Sequence, residues 1–228
     1  MKLVLTCEHG GNNIPKKFNT LFKNEETTLH SHRGFDIGAL DVFKYLKPIA
    51  DYSNYSETSR LLIELNRSLH HKNLFSEYSK SLSNIEKDHL INSYYNVYRD
   101  SVGNYISKEI KKGESILHIS IHSFTPILNG EKRTCDIGLL YDSTKIKESD
   151  YCKSFKKQLN SENPILKIRF NYPYLGTADG FTTYLRKQFP INYIGIEIEI
   201  NQKFTSKNEV PSLLKHQIYS ALKSTLPK

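Results

Sequence analysis

The segment KLVLTCEHGG, residues 2–11, decides the interpretation of the fold. Its first six residues are mostly apolar, and the run ends in polar residues and a Gly-Gly pair. That pattern is typical of a buried strand that leads into a loop at its C-terminal end. Because open α/β sheets bind ligands at this end of their strands, the segment predicts that His9 lies near a ligand-binding cleft.

Further predicted strands and helices alternate along the chain. Strands are predicted over residues 60–65, 115–121, 134–141 and 193–200. Helices are predicted from near Asp36 to before Pro48 and over residues 85–111, 149–160, 181–188 and 211–222, with a surface loop over 171–180. This alternation favours an α/β fold with three α/β/α layers and a mostly parallel, mixed sheet. A chain of 228 residues without repeats or a linker is expected to form one domain, residues 1–228.

The composition is that of an ordinary globular protein, with 38% hydrophobic and 25% charged residues. No stretch approaches the ~20 apolar residues of a membrane span, which excludes a membrane protein. The N-terminal residues predict a first strand rather than a signal peptide, so a cytoplasmic location is expected. Cys7, Cys135 and Cys152 are few and far apart, which favours neither a disulfide framework nor a cysteine zinc site.

A formal net charge of +8 raises the question of a nucleic-acid partner. The lysines are scattered, however, and no zinc-finger, helix-turn-helix or RNP-like pattern accompanies them. The charge therefore favours a solvated basic surface that attracts small anionic substrates, with no nucleic-acid or membrane partner.

Polar residues with metal-binding and acid–base chemistry follow three of the predicted strands. His9, His122 and Glu199 each lie at or just beyond a strand end, so they share a cleft if the strands are neighbours. Two imidazoles and a carboxylate suit Zn²⁺, which keeps one position open for water in catalytic sites. Glu197 and Glu199 point to the same face of their strand, and a carboxylate there can act as a general base.

Two arginines and an asparagine lie in the segment SRLLIELNRS. One arginine guanidinium can bind a carboxylate bidentately, and a second can polarise a scissile carbonyl or stabilise the oxyanion that forms there. Ordinary surface salt bridges are the alternative explanation for both side chains.

Five segments, in the order CEHGGNNIP, HRGFDIGA, LIELNRS, IHSFTP and IGIEIEINQKF, resemble the N-formylglutamate amidohydrolase family. The resemblance spans nearly the whole chain. That family is related to the zinc carboxypeptidases and to the aspartoacylase and succinylglutamate desuccinylase group. The resemblance therefore implies a zinc-carboxypeptidase-like fold and a metal-dependent amidohydrolase.

The resemblance also implies roles for single residues. His9 and His122 resemble the first and last zinc ligands, and Glu199 the general base, with Glu197 the weaker candidate. Asn66 and Arg67 resemble the pair that binds the substrate carboxylate.

Arg60 resembles the arginine that polarises the carbonyl. The related groups have a glutamate ligand three residues after the first histidine, where this chain has Asn12. Asp36, at the start of the helix opened by FDIGAL, is therefore the expected second ligand, with Glu8 as the fallback.

Three further residues are candidate contacts for a second substrate carboxylate. Tyr184 and Arg186 lie in TADGFTTYLRK, where the related enzymes place substrate-covering residues, and Arg133 precedes a predicted strand. His118 is expected to be structural, because it lies within its strand.

The expected function is zinc-dependent hydrolysis of the amide of an N-acyl acidic amino acid such as N-formylglutamate, a small anionic substrate. In this hypothesis Glu199 takes a proton from the zinc-bound water. A zinc peptidase or peptidoglycan amidase is one alternative, favoured by an open groove rather than a small pocket. A non-catalytic module that binds acidic ligands is another, because the His-x-x-Glu pattern is missing.

Overall fold

The computed structural model describes residues 1–226 and builds its main sheet from six strands. Over these residues the strands are β1 (Lys2–Cys7), β2 (Tyr52–Tyr55), β3 (Ile116–Phe124), β4 (Ile127–Leu128), β5 (Glu131–Lys132), β6 (Ile137–Leu140), β7 (Ile168–Phe170) and β8 (Tyr193–Asn201). The order in the main sheet is β2-β1-β3-β8-β6-β7, and β4 and β5 form a separate hairpin.

Helices connect these strands. They are α1 (Glu26–Leu29), α2 (Ala39–Leu46), α3 (Asn84–Leu90), α4 (Val97–Lys111), α5 (Ile146–Glu162), α6 (Phe181–Gln188) and α7 (Ser212–Thr225). A π-helical segment, Ile91–Asn96, joins α3 to α4. The long helix predicted over residues 85–111 is thus confirmed, with the π-helical segment inside it.

The strands that carry the predicted site residues are neighbours. β1 pairs with β3 and β3 pairs with β8, both in parallel, so their C-terminal ends lie at one edge of the sheet. β6 runs antiparallel to β8, which makes the sheet mixed. The predicted fold class is confirmed.

The core has two parts, one on each face of the sheet. On the first face α2, α5 and α7 pack against the alternating apolar side chains of β1, β3 and β8. On the second face α4 and α6, with residues 61–65, bury another apolar cluster. Helices on both faces give the three layers that the alternation of elements predicted.

The predicted strand over residues 60–65 is wrong. These residues form turns, in which Leu62 N donates to Ser59 O at 2.9 Å and Glu64 N donates to Leu74 O at 2.9 Å. Leu61, Leu62, Ile63 and Leu65 are buried all the same. A short apolar run reports burial and not backbone conformation, which explains the error.

The remaining predicted strands and helices are present with small changes at their ends, and the polar strand β2 and the short β7 were not predicted. Within residues 1–226, no helix is long and apolar enough to cross a membrane.

Candidate active site

Three buried side chains, those of His9, Asp36 and His122, meet at the C-terminal edge of β1 and β3. Asp36 Oδ2 lies 3.3 Å from His9 Nδ1 and 2.9 Å from His122 Nδ1. One ligand atom from each residue lies within 4.8 Å of the other two. Ligand atoms of a tetrahedral zinc site with bonds of ~2.0–2.2 Å stand ~3–3.5 Å apart, so this donor set fits a zinc ion.

The main chain places Asp36 beside the histidines. Asp36 N donates to His9 O at 2.9 Å, and Ser123 N donates to Asp36 Oδ2 at 3.3 Å. Asp36 lies in a turn, and not at the start of α2 as predicted, because Gly38 has a left-handed φ of +84° and the helix begins at Ala39. A side chain at position 38 would also meet Thr205 and Val210 at about 3.0 Å.

A second carboxylate contacts the other ring nitrogen of each histidine, the one that does not face Asp36. His122 Nε2 lies 3.1 Å from Glu8 Oε2, and His9 Nε2 bonds to Glu64 Oε1. Such outer carboxylates fix the ring orientation of metal-binding histidines.

Glu8 is not positioned as the alternative metal ligand. Its Oε1 accepts from Tyr98 Oη at 2.9 Å, and its Oε2 accepts from Ser120 Oγ and His122 Nε2. The carboxylate therefore lies behind His122, on the ring nitrogen opposite the one that faces Asp36. The fallback prediction is wrong for this geometric reason.

Glu199 lies next to this cluster, because it pairs with His122 across β3 and β8. It is 5% exposed, and among the described residues its Oε2 atom has no hydrogen-bond partner. Burial, with the charges of Asp36 and Glu197, raises the pKa of Glu199 to about 8. A cation bound nearby would lower this value again. A carboxylate that titrates near neutral pH is suited to general acid–base catalysis.

Arg60 joins the two carboxylates on the other side of the cluster. Its Nη1 donates to Asp36 Oδ1 at 3.2 Å, and its Nε and Nη2 donate to Glu64 Oε2 at 2.9 and 2.6 Å. Burial lowers the pKa of Arg60, but the charges of Glu64 and Asp36 more than offset this and raise it above its ordinary value. Arg60 is therefore a permanent cation that stabilises the ionised form of both carboxylates.

Asn66 and Arg67 form the opposite side of the cavity. Phe181 N donates to Asn66 Oδ1 at 2.6 Å, which fixes the side-chain amide. The amide nitrogen makes no hydrogen bond within the described part of the chain and can donate to a ligand. Arg67 Nη1 donates to Asn66 O at 3.3 Å and to Asp179 O. The Asn66 amide and the Arg67 guanidinium are thus held in place in the cavity wall.

Arg99, which the sequence analysis did not identify, binds the backbone of residues 65–67 on the side away from the cavity. Its Nη1 donates to Leu65 O at 3.0 Å and to Arg67 O at 3.3 Å. Its guanidinium lies 4.4–4.7 Å from the ring centroids of Tyr95, Phe181 and Tyr184. Arg99 therefore positions the Asn66-Arg67 backbone and does not reach the cavity.

The metal-ligand candidates, Glu199, Arg60 and the Asn66-Arg67 pair line one cavity of about 180 Å³. This is below the ~300–1,000 Å³ typical of pockets for drug-sized ligands, so the cavity suits a small molecule. Its lining consists of His9, Asp36, Arg60, Asn66, Arg67, His122, Ser123, Tyr174, Leu175, Ala178, Asp179, Glu197 and Glu199.

The three candidate contacts for a second carboxylate do not line this cavity. Arg186 is buried and bonds to Glu148 Oε1 at 2.8 Å and Gly195 O at 2.7 Å, so its predicted substrate contact is wrong. Tyr184 packs on Arg99, away from the cavity, and its predicted contact is also wrong. Arg133 Nη1 donates to Tyr174 Oη at 3.2 Å, so it contacts a residue of the cavity wall and not the cavity.

His118 is structural, as predicted. Its ring nitrogens bond to Thr6 Oγ1 at 2.8 Å and Tyr193 Oη at 2.6 Å. Burial lowers the pKa of His118 to about 4, so the ring is neutral at physiological pH.

Several cavity residues carried no signal that sequence reasoning used. Tyr174 and Asp179 lie in the loop over residues 171–180, whose glycines and proline predicted only a surface loop. The contact of Glu64 with His9 joins positions 55 residues apart. Only the tertiary structure shows that these residues share a site.

Comparisons with known proteins identify the family of this chain. The sequence matches the family model of N-formylglutamate amidohydrolase over residues 1–205. The crystal structure of gene product Atu2144 from Agrobacterium tumefaciens is similar with a TM-score of 0.79 and 25% identity, over 98% of this chain and 91% of that chain. N-formylglutamate amidohydrolase from Ralstonia eutropha JMP134 is similar with a TM-score of 0.72 and 14% identity, over 99% and 93% of the two chains.

A metallo-carboxypeptidase from Burkholderia cenocepacia matches with a TM-score of 0.38 and 11% identity, over 98% of this chain and 56% of that chain. No curated protein matches the sequence. The family match covers most of the 228 residues, including every residue that lines the cavity. The chain belongs to the N-formylglutamate amidohydrolase family.

Proposed function

We propose that this protein is a zinc-dependent hydrolase that cleaves the amide of a small N-acyl amino acid, with N-formylglutamate as the reference substrate. The observation that carries the proposal is the buried group of His9, Asp36 and His122 in one small cavity with Glu199, whose Oε2 atom has no hydrogen-bond partner within residues 1–226. A site with these ligands and a free base is the arrangement that metal-assisted amide hydrolysis needs.

His9, Asp36 and His122 are the residues that would hold the metal. When bound, zinc lowers the pKa of a coordinated water and polarises a carbonyl group. Arg60 keeps Asp36 ionised by bonding to its other oxygen, and Glu64 and Glu8 orient the two rings. The chain thus presents three donor atoms in a fixed geometry.

Glu199 is the proposed general base. Its Oε2 atom is free among the described residues, and the side chain is buried beside His122, with which it pairs across β3 and β8. The carboxylate takes a proton from the attacking water and gives it to the leaving amine. The reaction breaks the amide bond and yields a carboxylic acid and an amine.

Arg67 and the amide nitrogen of Asn66 are the proposed ligands of the substrate α-carboxylate. Both lie in the cavity wall, and a guanidinium binds a carboxylate through parallel hydrogen bonds. Arg60, on the metal side of the cavity, supplies a positive charge beside the acyl oxygen, where negative charge develops.

The size of the cavity supports a free N-acyl amino acid over a peptide. A peptidase that acts on a chain needs an open groove, and a volume of about 180 Å³ leaves no room for several residues. The small substrate is therefore the leading proposal.

The proposal is tested by Glu199→Gln. This change keeps the side-chain size but removes the base, so formate release from N-formyl amino acids should fall by ~10²–10⁴-fold with about one zinc still bound. Elemental analysis and a formate assay measure the two quantities. Glu162→Gln, at an exposed position on α5, is the matched control and should behave as wild type. Unchanged turnover in Glu199→Gln would remove Glu199 from this role.

A further inference from the structure

We infer that Asp179 is a positioning residue for substrate binding, which holds the turn of residues 66–68 so that the Arg67 guanidinium is already in place for the substrate carboxylate. The inference rests on the proposed function, because it concerns the contact that Arg67 is proposed to make. In this role Asp179 acts through Arg67 and not by contact with the substrate.

The contacts of Asp179 with this turn are the first argument. Its Oδ2 atom accepts from Ser68 N at 3.0 Å and from Ser68 Oγ at 3.1 Å. Its main-chain oxygen accepts from Arg67 Nη1. One residue therefore holds both the backbone that follows Arg67 and the guanidinium at the end of its side chain.

The direction of the Asp179 carboxylate leaves the charge of Arg67 available. An aspartate beside a substrate-binding arginine can pair with it and compete with the ligand, but this carboxylate bonds to Ser68. Among residues 1–226, the hydrogen-bond partners of the Arg67 side chain are the main-chain oxygens of Asn66 and Asp179, and both bonds use Nη1. The remaining N–H groups of the guanidinium can therefore bind a carboxylate.

The loop on both sides of Asp179 has anchors of its own. Thr183 Oγ1 donates to Ala178 O at 2.8 Å, and Phe181 N donates to Asn66 Oδ1 at 2.6 Å. Neither bond involves the Asp179 side chain. We therefore expect a substitution at position 179 to loosen the turn of residues 66–68 and to leave the path of the loop unchanged.

Preorganisation is the physical reason for the expected effect. Arginine has a long side chain with many rotamers, and a protein that must order it during binding loses ~3–10-fold in affinity. The bonds to Asp179 order the turn and the guanidinium before the ligand arrives. Their loss should weaken carboxylate binding and leave the three candidate metal ligands unchanged, because none of these bonds involves them.

The test is a double-mutant cycle. It measures the calorimetric Kd of N-formylglutamate for zinc-loaded, full-length Glu199→Gln protein, the parent, in which turnover is suppressed. Asp179→Ala should raise this Kd by ~3–10-fold. In a parent that also carries Arg67→Met, the same change should alter Kd by less than about twofold, because the residue through which Asp179 acts is gone. An equal loss in both backgrounds would overturn the inference.

Asp179→Asn separates position from charge. The amide oxygen still accepts from Ser68 but carries no charge, so Kd should stay within about twofold of the parent value. If the carboxylate acted by repelling the anionic ligand, Asp179→Asn and Asp179→Ala would both lower Kd. Tighter binding in both variants would therefore contradict the inference.

Asp142→Ala is the matched control. Asp142 Oδ1 accepts from Thr144 N at 3.0 Å and from Thr144 Oγ1 at 2.7 Å, the same pair of bonds, in a turn that does not line the cavity. Its Kd for N-formylglutamate should equal that of the parent. A loss as large as that of Asp179→Ala would show that removing such a pair of bonds acts on the fold and not on Arg67.

The binding measurements also separate the inference from the proposed reaction. If wild type releases no formate but Kd changes as predicted, the reaction is overturned and the inference stands. If wild type releases formate but Asp179→Ala leaves Kd unchanged, the inference is overturned and the reaction stands. Absence of N-formylglutamate binding to the parent would overturn both.

Discussion

At the scale of single residues, both ring nitrogens of each histidine have a partner. The Nδ1 atoms of His9 and His122 face Asp36, and the Nε2 atoms bond to Glu64 and Glu8. An imidazole bonded on one nitrogen presents the other in a fixed tautomer and direction. The donor geometry therefore depends on residues that never contact a metal.

Glu8→Gln tests this dependence. The substitution keeps the shape of the side chain but removes the charge behind His122, so zinc affinity should fall by ~10–100-fold. Competition with a chromophoric chelator measures the affinity without using turnover.

Tyr98→Phe is the matched control for that variant. It removes the hydroxyl that donates to Glu8 Oε1 but keeps the contact between Glu8 and His122, so zinc affinity should stay close to wild type. Equal affinities for Glu8→Gln and wild type would show that Glu8 does not position the ring.

At the scale of elements, β8 contributes side chains both to the hydrophobic core and to the cavity. Its isoleucines face the first core cluster, and Glu197 and Glu199 face the cavity. This division follows from the two-residue period of a strand, so the sequence was sufficient to predict it. The parallel pairing of β1, β3 and β8 then brings the polar strand ends together.

Other elements could not be predicted from the periodicity of their apolar residues. Residues 60–65 are a buried turn, and a short apolar run suits a turn as well as a strand. β2 has the sequence YSNY, without an apolar face. The role of Arg186 was missed because its partner, Glu148, lies 38 residues away on another helix. Local patterns predict elements, whereas such contacts depend on how the elements pack.

The pair of Arg186 and Glu148 bonds to a part of β8 that β6 does not reach. β6 pairs with β8 only as far as Glu197, so Gly195 lies beyond it. There Glu148 Oε1 accepts from Gly195 N at 3.1 Å, and Arg186 Nη2 donates to Gly195 O at 2.7 Å. The ion pair supplies the hydrogen bonds that a neighbouring strand would have made.

Arg186→Met should therefore reduce stability and leave substrate binding alone. Glu148 would remain as an unpaired charge that is 1% exposed, at a cost of about 3–5 kcal/mol in the free energy of unfolding. Urea denaturation measures this loss, and Arg186→Met with Glu148→Gln should recover part of it. A normal stability with a raised KM would instead indicate a substrate contact.

At the scale of the whole molecule, a basic protein encloses a cavity whose wall contains several carboxylates. The protein carries a formal charge of +8, yet its cavity is lined by more carboxylates than guanidinium groups. We propose that this basic surface attracts small anions over a distance set by ionic strength, about 8–10 Å near physiological salt.

Both faces of the sheet contribute to holding the site in place. α2 follows the turn that carries Asp36 and packs on the first face. On the second face residues 61–65 are buried, and Phe181 N of α6 donates to Asn66 Oδ1. The family match supports an amidohydrolase.

The most direct test of the central claim is a zinc titration of metal-free protein, followed by the rate of formate release from its best N-formyl substrate. We predict no activity without metal and a linear rise that ends at one equivalent of zinc, with Asp36→Ala failing to respond at that ratio. Full activity in protein shown by elemental analysis to lack metal would contradict the account.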